Sequence, residues 1–123
     1  MVQPQKILVV DDEYLIRWAL VQSLSEAGYE VTAFENGLQA FEAAQNEHFD
    51  FVVTDLSMPG LNGWQLLNKL VTLKSSPRVI VMTSQREEDH HRRVKEQGGW
   101  AYLEKDSDLL AEVKQALKRV SGG

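Results

Sequence analysis

Four short apolar runs in this chain each lead into reactive polar residues, and that recurrence restricts the folds open to it. The runs are Ile7-Leu8-Val9-Val10 before Asp11-Asp12, Phe51-Val52-Val53-Thr54 before Asp55, Val79-Ile80-Val81-Met82 before Thr83, and Tyr102-Leu103-Glu104 before Lys105. Between them lie amphipathic stretches of about ten to fifteen residues, the alternation of β-α repeats that builds a parallel sheet. A parallel sheet gathers its strand ends along one edge, where open α/β folds bind ligands. Residues scattered over nearly the whole chain would therefore meet at one place.

The pattern predicts strands at 6–10, 30–34, 50–54, 78–83 and 100–103, and helices at 13–27, 37–47, 63–74, 86–97 and 107–119. The first and third strands lack polar alternation, as expected when helices cover both faces of the sheet. Ile16, Ala19, Leu20, Ser23, Leu24 and Ala27 share one face at helical spacing, and Gly28 ends that helix. Trp64, Leu67, Leu70 and Val71 do the same before Pro77, as do Leu109, Leu110, Val113, Ala116, Leu117 and Val120 near the C-terminus. The fourth helix differs. Its Glu87-Glu88-Asp89-His90-His91-Arg92-Arg93 stretch offers no apolar anchor and Val94 is almost alone. Helices depend mainly on burying an apolar face, so this one is expected to be the least firmly held.

At 123 residues the chain reads as a single domain, 1–123, with a core at about 5–120 and Ser121-Gly122-Gly123 as a tail or the start of a linker. No apolar run approaches the roughly 18 residues a membrane span needs, and the N-terminus lacks a secretory pattern. With no cysteine, a cytoplasmic location is compatible and thiolate metal sites are excluded. A net charge of −5 argues against direct binding of nucleic acid.

Taken singly, the polar strand ends have ordinary explanations. Asp12 could cap a helix, and Asp55 could serve the turn at Pro59-Gly60. Taken together they place three carboxylates in one pocket. Two like charges about 4 Å apart repel by roughly 4 kcal/mol at an effective dielectric near 20, so a cation or a retained proton is required. Mg²⁺ fits best, because it commonly bridges one or two carboxylates to a phosphate. With Lys105 the formal charge of the pocket returns to neutral. Thr83 and Lys105 offer donors suited to phosphoryl oxygens. The chemistry that follows is phosphoryl transfer to a carboxylate, with Asp55, alone at the end of the central strand, as the acceptor.

These residues resemble the receiver domain of bacterial two-component response regulators over essentially the whole chain. The matching motifs are Asp11-Asp12, the Asp55-Leu56-Ser57-Met58-Pro59-Gly60 run with Gly63, Thr83-Ser84, and Tyr102-Leu103-Glu104-Lys105. The resemblance implies a flavodoxin-like, doubly wound α/β fold: five parallel strands in order 2-1-3-4-5 with helices on both faces. It implies a signalling switch, not an enzyme, that takes a phosphoryl group on Asp55 from a sensor histidine kinase or phosphotransfer protein. Mg²⁺ would be held by Asp12, Asp55 and the Ser57 carbonyl, with Asp11 acting largely through water. Thr83 and Lys105 would grip the phosphoryl group, and Tyr102 would swing inward, changing the surface of helix 4, strand 5 and helix 5. Ser57 and Gln85 would tune hydrolysis. A downstream output domain or protein would read the switch, in some family members through a phosphorylation-dependent homodimer.

The chain departs from the family at two points. Asp106 follows Lys105 where a proline is usual, and is expected to compete for Lys105. Trp100 stands where a polar residue is more common. On helix 1, Leu15, Trp18 and Val21 form an apolar stripe facing away from the core, a candidate docking surface for a kinase or phosphotransfer helix. The Ile16-Arg17-Trp18-Ala19-Leu20 run resembles receivers of nitrogen-regulation-class activators. His90 and His91, pointing about 100° apart, cannot easily share an ion, and with His48 they read as solvated. Two rival functions are a phosphorylation-independent pseudo-receiver that only binds, and a small Mg²⁺-dependent aspartyl-phosphate phosphatase, which lacks a second acid-base carboxylate after Asp55.

Overall fold

In a computed structural model, described over residues 3–85 and 87–119, the alternation resolves into β1 (Lys6–Val10), α1 (Tyr14–Glu26), β2 (Glu30–Phe34), α2 (Gly37–Asn46), β3 (Phe51–Asp55), α3 (Gly63–Leu70), β4 (Arg78–Thr83), α4 (Glu88–Glu96), β5 (Ala101–Glu104) and α5 (Leu109–Lys118). The five strands form one parallel sheet in the order β2-β1-β3-β4-β5. The expected Val120, the 121–123 tail and the Arg86 start of the fourth helix lie outside the described residues.

Alternate residues of the central strands feed two cores. Ile7, Val9, Phe51, Val53, Ile80 and Met82 pack against Leu20 and Leu24 of α1 and Leu109, Val113 and Leu117 of α5. Leu8, Val10, Val52, Val79 and Val81 pack on the other face against α2, α3 and α4. All of β3 is buried, as its unbroken apolar run requires. α4 buries Val94 alone among its nine residues, in keeping with its missing apolar face.

Helix boundaries differ from expectation where side chains compete for the backbone. α3 stops at Leu70, not residue 74: the Thr72 hydroxyl donates to the Lys69 carbonyl, and Thr72 and Leu73 make tight i to i−3 backbone bonds. Val71 is consequently exposed, while Leu66 joins the buried face. Ala27, just past the end of α1, is exposed, and on α5 Leu110 lies at the margin of the core. α5 begins at Leu109, because Asp106 accepts the Asp108 N–H and holds residues 106–108 in a turn. α3 itself is launched by a reciprocal cap, Asn62 accepting from Gln65 N–H while Gln65 accepts from Asn62 N–H.

Trp100, without an assigned role in the sequence, is an anchor at the far end of the sheet. Its indole N–H donates to the Ala116 carbonyl at 2.8 Å, closing the last turn of α5. The Arg78 and Arg119 guanidinium groups lie 4.6 and 4.7 Å from its ring centroid.

Candidate functional site

The C-terminal ends of β1, β3, β4 and β5 are held in register by backbone bonds that run past the strands. Leu56 N–H donates to the Met82 carbonyl, and Lys105 N–H donates to the Thr83 carbonyl, each at 2.8 Å. These bonds fix Asp55, Thr83 and Lys105 along one edge. Gly63 lets α3 close against this edge: its N–H donates to Leu56 O, and a Cβ there would stand 2.5 Å from the Asp55 carbonyl oxygen. Gly60, at φ +74, makes the turn between them.

Asp11 and Asp55 are buried, whereas Asp12 is exposed at the rim. Asp12 is not the helix cap. The capping position falls to Glu13, whose side chain makes no cap bond, while Asp11 Oδ1 accepts the Glu13 N–H at 2.8 Å. One carboxylate oxygen each from Asp11, Asp12 and Asp55 lies within 4.8 Å of the others. Lys105 Nζ reaches into this group. It donates to Asp55 Oδ2 at 3.1 Å and to Glu13 Oε1 at 2.6 Å, and lies 2.9 Å from Asp11 Oδ2. Asp11 Oδ2 is wholly buried, and the Lys105 ammonium is the partner that meets it there. Burial raises the Asp11 pKa above the ordinary carboxylate value; Lys105 and the Glu13 N–H pull it back, and Asp55 adds to the rise. Burial works against the charge on Lys105, but its contacts with Glu13, Asp11 and Asp55 raise its pKa above that of an ordinary lysine.

Two buried carboxylates and a third at the rim, each within reach of the others, are a donor set that suits a hard divalent cation. Ser57 is exposed beside it, and its N–H lies 3.3 Å from Asp55 Oδ1. The Thr83 hydroxyl is engaged locally: it donates to the Gln85 carbonyl at 2.8 Å and accepts the Gln85 N–H at 3.1 Å. Ser57, Thr83 and Gln85 also line a polar hollow of about 520 Å³, with Trp64 and His90 on its far wall.

Asp106 does not meet the expectation of a competitor. It is exposed and turned to the Asp108 N–H, and the carboxylates on Lys105 are Asp11, Glu13 and Asp55. His48 and His91 are exposed, as expected, and His90 is the exception. His90 is half-buried, its ring edge-on to Trp64 at 5.1 Å with Nδ1 3.3 Å from the Tyr102 hydroxyl, and His91 stacks on Tyr102. His48 is taken up by Asp50 and Ser75. Sequence reasoning missed Glu13 and also Arg17, which donates to the Asp11 carbonyl at 2.7 Å and steadies the loop after β1. Beside the site, Leu15 and Trp18 are 74% and 54% exposed, Tyr14 joins them, and Val21 is half-covered.

The family model described as "Response regulator receiver domain" matches residues 7–118. The sporulation initiation phosphotransferase F of Bacillus subtilis is 35% identical over 94% of this chain and 92% of its own length. The DNA-binding transcriptional regulator NtrC of Escherichia coli is 36% identical over 90% of this chain, which spans 24% of that protein. Among solved structures, the CheY-like receiver domain protein of Methanospirillum hungatei superposes with a TM-score of 0.82 at 28% identity, covering 93% of this chain and 94% of the other. The chemotaxis response regulator CheY4 of Vibrio cholerae gives 0.82 at 26%, covering 91% and 97%.

Proposed function

The chain belongs to the response regulator receiver family, and we propose that Asp55 is the residue on which it takes up a phosphoryl group. One observation carries this reading: a buried carboxylate at the end of the central strand, bonded to Lys105 and within reach of Asp11 and Asp12. An Asp55 carboxylate oxygen attacks the phosphorus of a kinase or phosphotransfer phosphohistidine. The new O–P bond replaces the P–N bond, whose electron pair leaves with the imidazole nitrogen.

Asp12, Asp55 and the Ser57 carbonyl would hold Mg²⁺, with Asp11 acting largely through water. When bound, the ion supplies positive charge against the phosphoryl oxygens. Lys105 adds a second positive charge, and Thr83 exchanges its bond to Gln85 for one to a phosphoryl oxygen. Tyr102 then leaves His90 for the space Thr83 vacates, which alters the face formed by α4, β5 and α5. The shallow anchoring of α4 suits an element that moves. Ser57 and Gln85, at the mouth of the hollow, set the access of water to the phosphoryl group.

Receivers work with histidine kinases or phosphotransfer proteins and with output domains. Here the Leu15, Trp18 and Val21 stripe is the docking face for the phosphodonor. If Trp18→Ala leaves kinase-dependent phosphorylation at its original rate in a folded protein, that docking assignment is wrong. The α4, β5 and α5 face would serve an output partner or a phosphorylation-dependent homodimer. No helix among the described residues is long and apolar enough to cross a membrane. By its family, we place the 1–123 domain in the cytoplasm.

Beryllofluoride, a phosphoryl mimic, tests the switch. In the presence of Mg²⁺ it should shift backbone NMR signals of α4 and β5 in the wild type and not in Asp55→Asn. Binding without any shift in those elements would identify a site that does not switch.

A further inference from the structure

Glu13 makes the shortest of the contacts to Lys105, at 2.6 Å against 2.9 Å for Asp11 and 3.1 Å for Asp55. An ammonium has three N–H donors and no more. Three carboxylates surround this one, so a phosphoryl oxygen can engage Lys105 only by displacing one of them. Asp11 and Asp55 are buried where β1 and β3 end, and cannot withdraw. Glu13 can, because it is 56% exposed at the start of α1 and its side chain makes no cap bond. Its carboxylate also changes the charge balance. With Glu13 included, the pocket holds four carboxylates and one ammonium, and a divalent cation leaves one negative charge instead of none.

We propose that Glu13 is a positioning residue for phosphoryl binding: it tethers the Lys105 ammonium in the resting pocket and opposes its transfer to the phosphoryl group. This rests on the reading of Asp55 and Lys105 above and adds a regulator to it. The tether weakens retention of the phosphoryl group and sets how long the signalling state lasts. It takes the part that sequence adjacency had assigned to Asp106.

The test uses Glu13→Gln and Glu13→Asp. Both keep the backbone N–H that bonds to Asp11. Gln removes the charge, whereas Asp keeps the charge but falls one methylene short of Lys105. Beryllofluoride affinity in Mg²⁺ is measured by calorimetry, and the half-life of the acetyl-phosphate-labelled protein by intact mass. Both variants should bind the mimic more tightly and hold the phosphoryl group about twofold to fivefold longer, the range a partly exposed ion pair is worth. A wild type that binds no beryllofluoride would instead overturn the reading of the site itself. Wild-type binding with unchanged Glu13→Gln values would overturn the tether. A gain in Gln with none in Asp would also overturn it, assigning the effect to charge at a distance.

Discussion

The Tyr102 hydroxyl stands 3.3 Å from Nδ1 of His90, which ties the proposed switch residue of β5 to α4. The His90 ring in turn meets Trp64 edge-on, and the Arg93 guanidinium lies 3.9 Å from the Trp64 ring centroid. An inward swing of Tyr102 therefore has to break a contact chain that ends on a tryptophan.

That chain makes Trp64 a reporter. With 5-fluorotryptophan incorporated, ¹⁹F NMR should resolve Trp18, Trp64 and Trp100. Beryllofluoride with Mg²⁺ should move the Trp64 resonance and leave Trp100, at the opposite end of the sheet, in place. A Trp64 signal that stays fixed while the mimic binds would mean that Tyr102 keeps its contact with His90.

Asp12 adds negative charge beside Asp11 and Asp55. Asp12→Asn should stabilise the protein in the absence of divalent cations by about 1 kcal/mol, the scale of one like-charge contact near solvent. Mg²⁺ should raise the melting temperature of the wild type, and the same change should abolish that rise. Thermal unfolding with EDTA and with Mg²⁺ reads both effects.

Lys105→Met removes the cation that Asp11 and Asp55 share. The Lys105 pKa is raised on folding, so its stabilisation is fully present below the unfolded value of about 10.4 and fades only as pH rises through the folded one. The Asp11 pKa is also raised, so its ionisation opposes folding as pH climbs above about 3.9, and most strongly above its folded value. The Met variant should thus lose about 3 kcal/mol at neutral pH without Mg²⁺. The deficit should shrink as pH falls and Asp11 takes up a proton. Urea unfolding at pH 7.5 and pH 4.5 tests the sign.

Gly63→Ala would push a methyl group against the Asp55 carbonyl oxygen and Leu56 Cα, 2.5 and 2.7 Å away. Both are backbone atoms, at the last residue of β3 and the residue after it, so the strain cannot be relieved by a side-chain rotation. A loss of about 1–3 kcal/mol is expected, with slower phosphorylation by acetyl phosphate. Unaltered kinetics would show that the β3–α3 junction tolerates displacement.

The strands and the main site were legible because each rests on a local signal. Apolar runs of Val, Ile and Leu declare buried strands, and a parallel sheet leaves one edge for the residues that follow them. Expectation failed where contacts join distant elements, or where a side chain bonds the backbone beside it. Glu13 reads as an ordinary first-turn acid, and its partner Lys105 lies on β5's far side of the sequence, 92 residues on. Asp106 looked like the competitor because it is adjacent to Lys105, yet the turn into α5 directs it to Asp108. His90 looked solvated because α4 carries no apolar stripe, and the rings that cover it come from α3 and β5. α3 ended early through a threonine bond that periodicity does not register.

The central claim is that Asp55 takes a phosphoryl group with the help of Mg²⁺, and intact mass after incubation with acetyl phosphate tests it most directly. One added phosphoryl group is expected in the wild type with Mg²⁺, and none in Asp55→Asn or with EDTA. An unmodified wild type that also fails to bind beryllofluoride, so that rapid hydrolysis is not the cause, would contradict the account and leave a domain that acts only by binding.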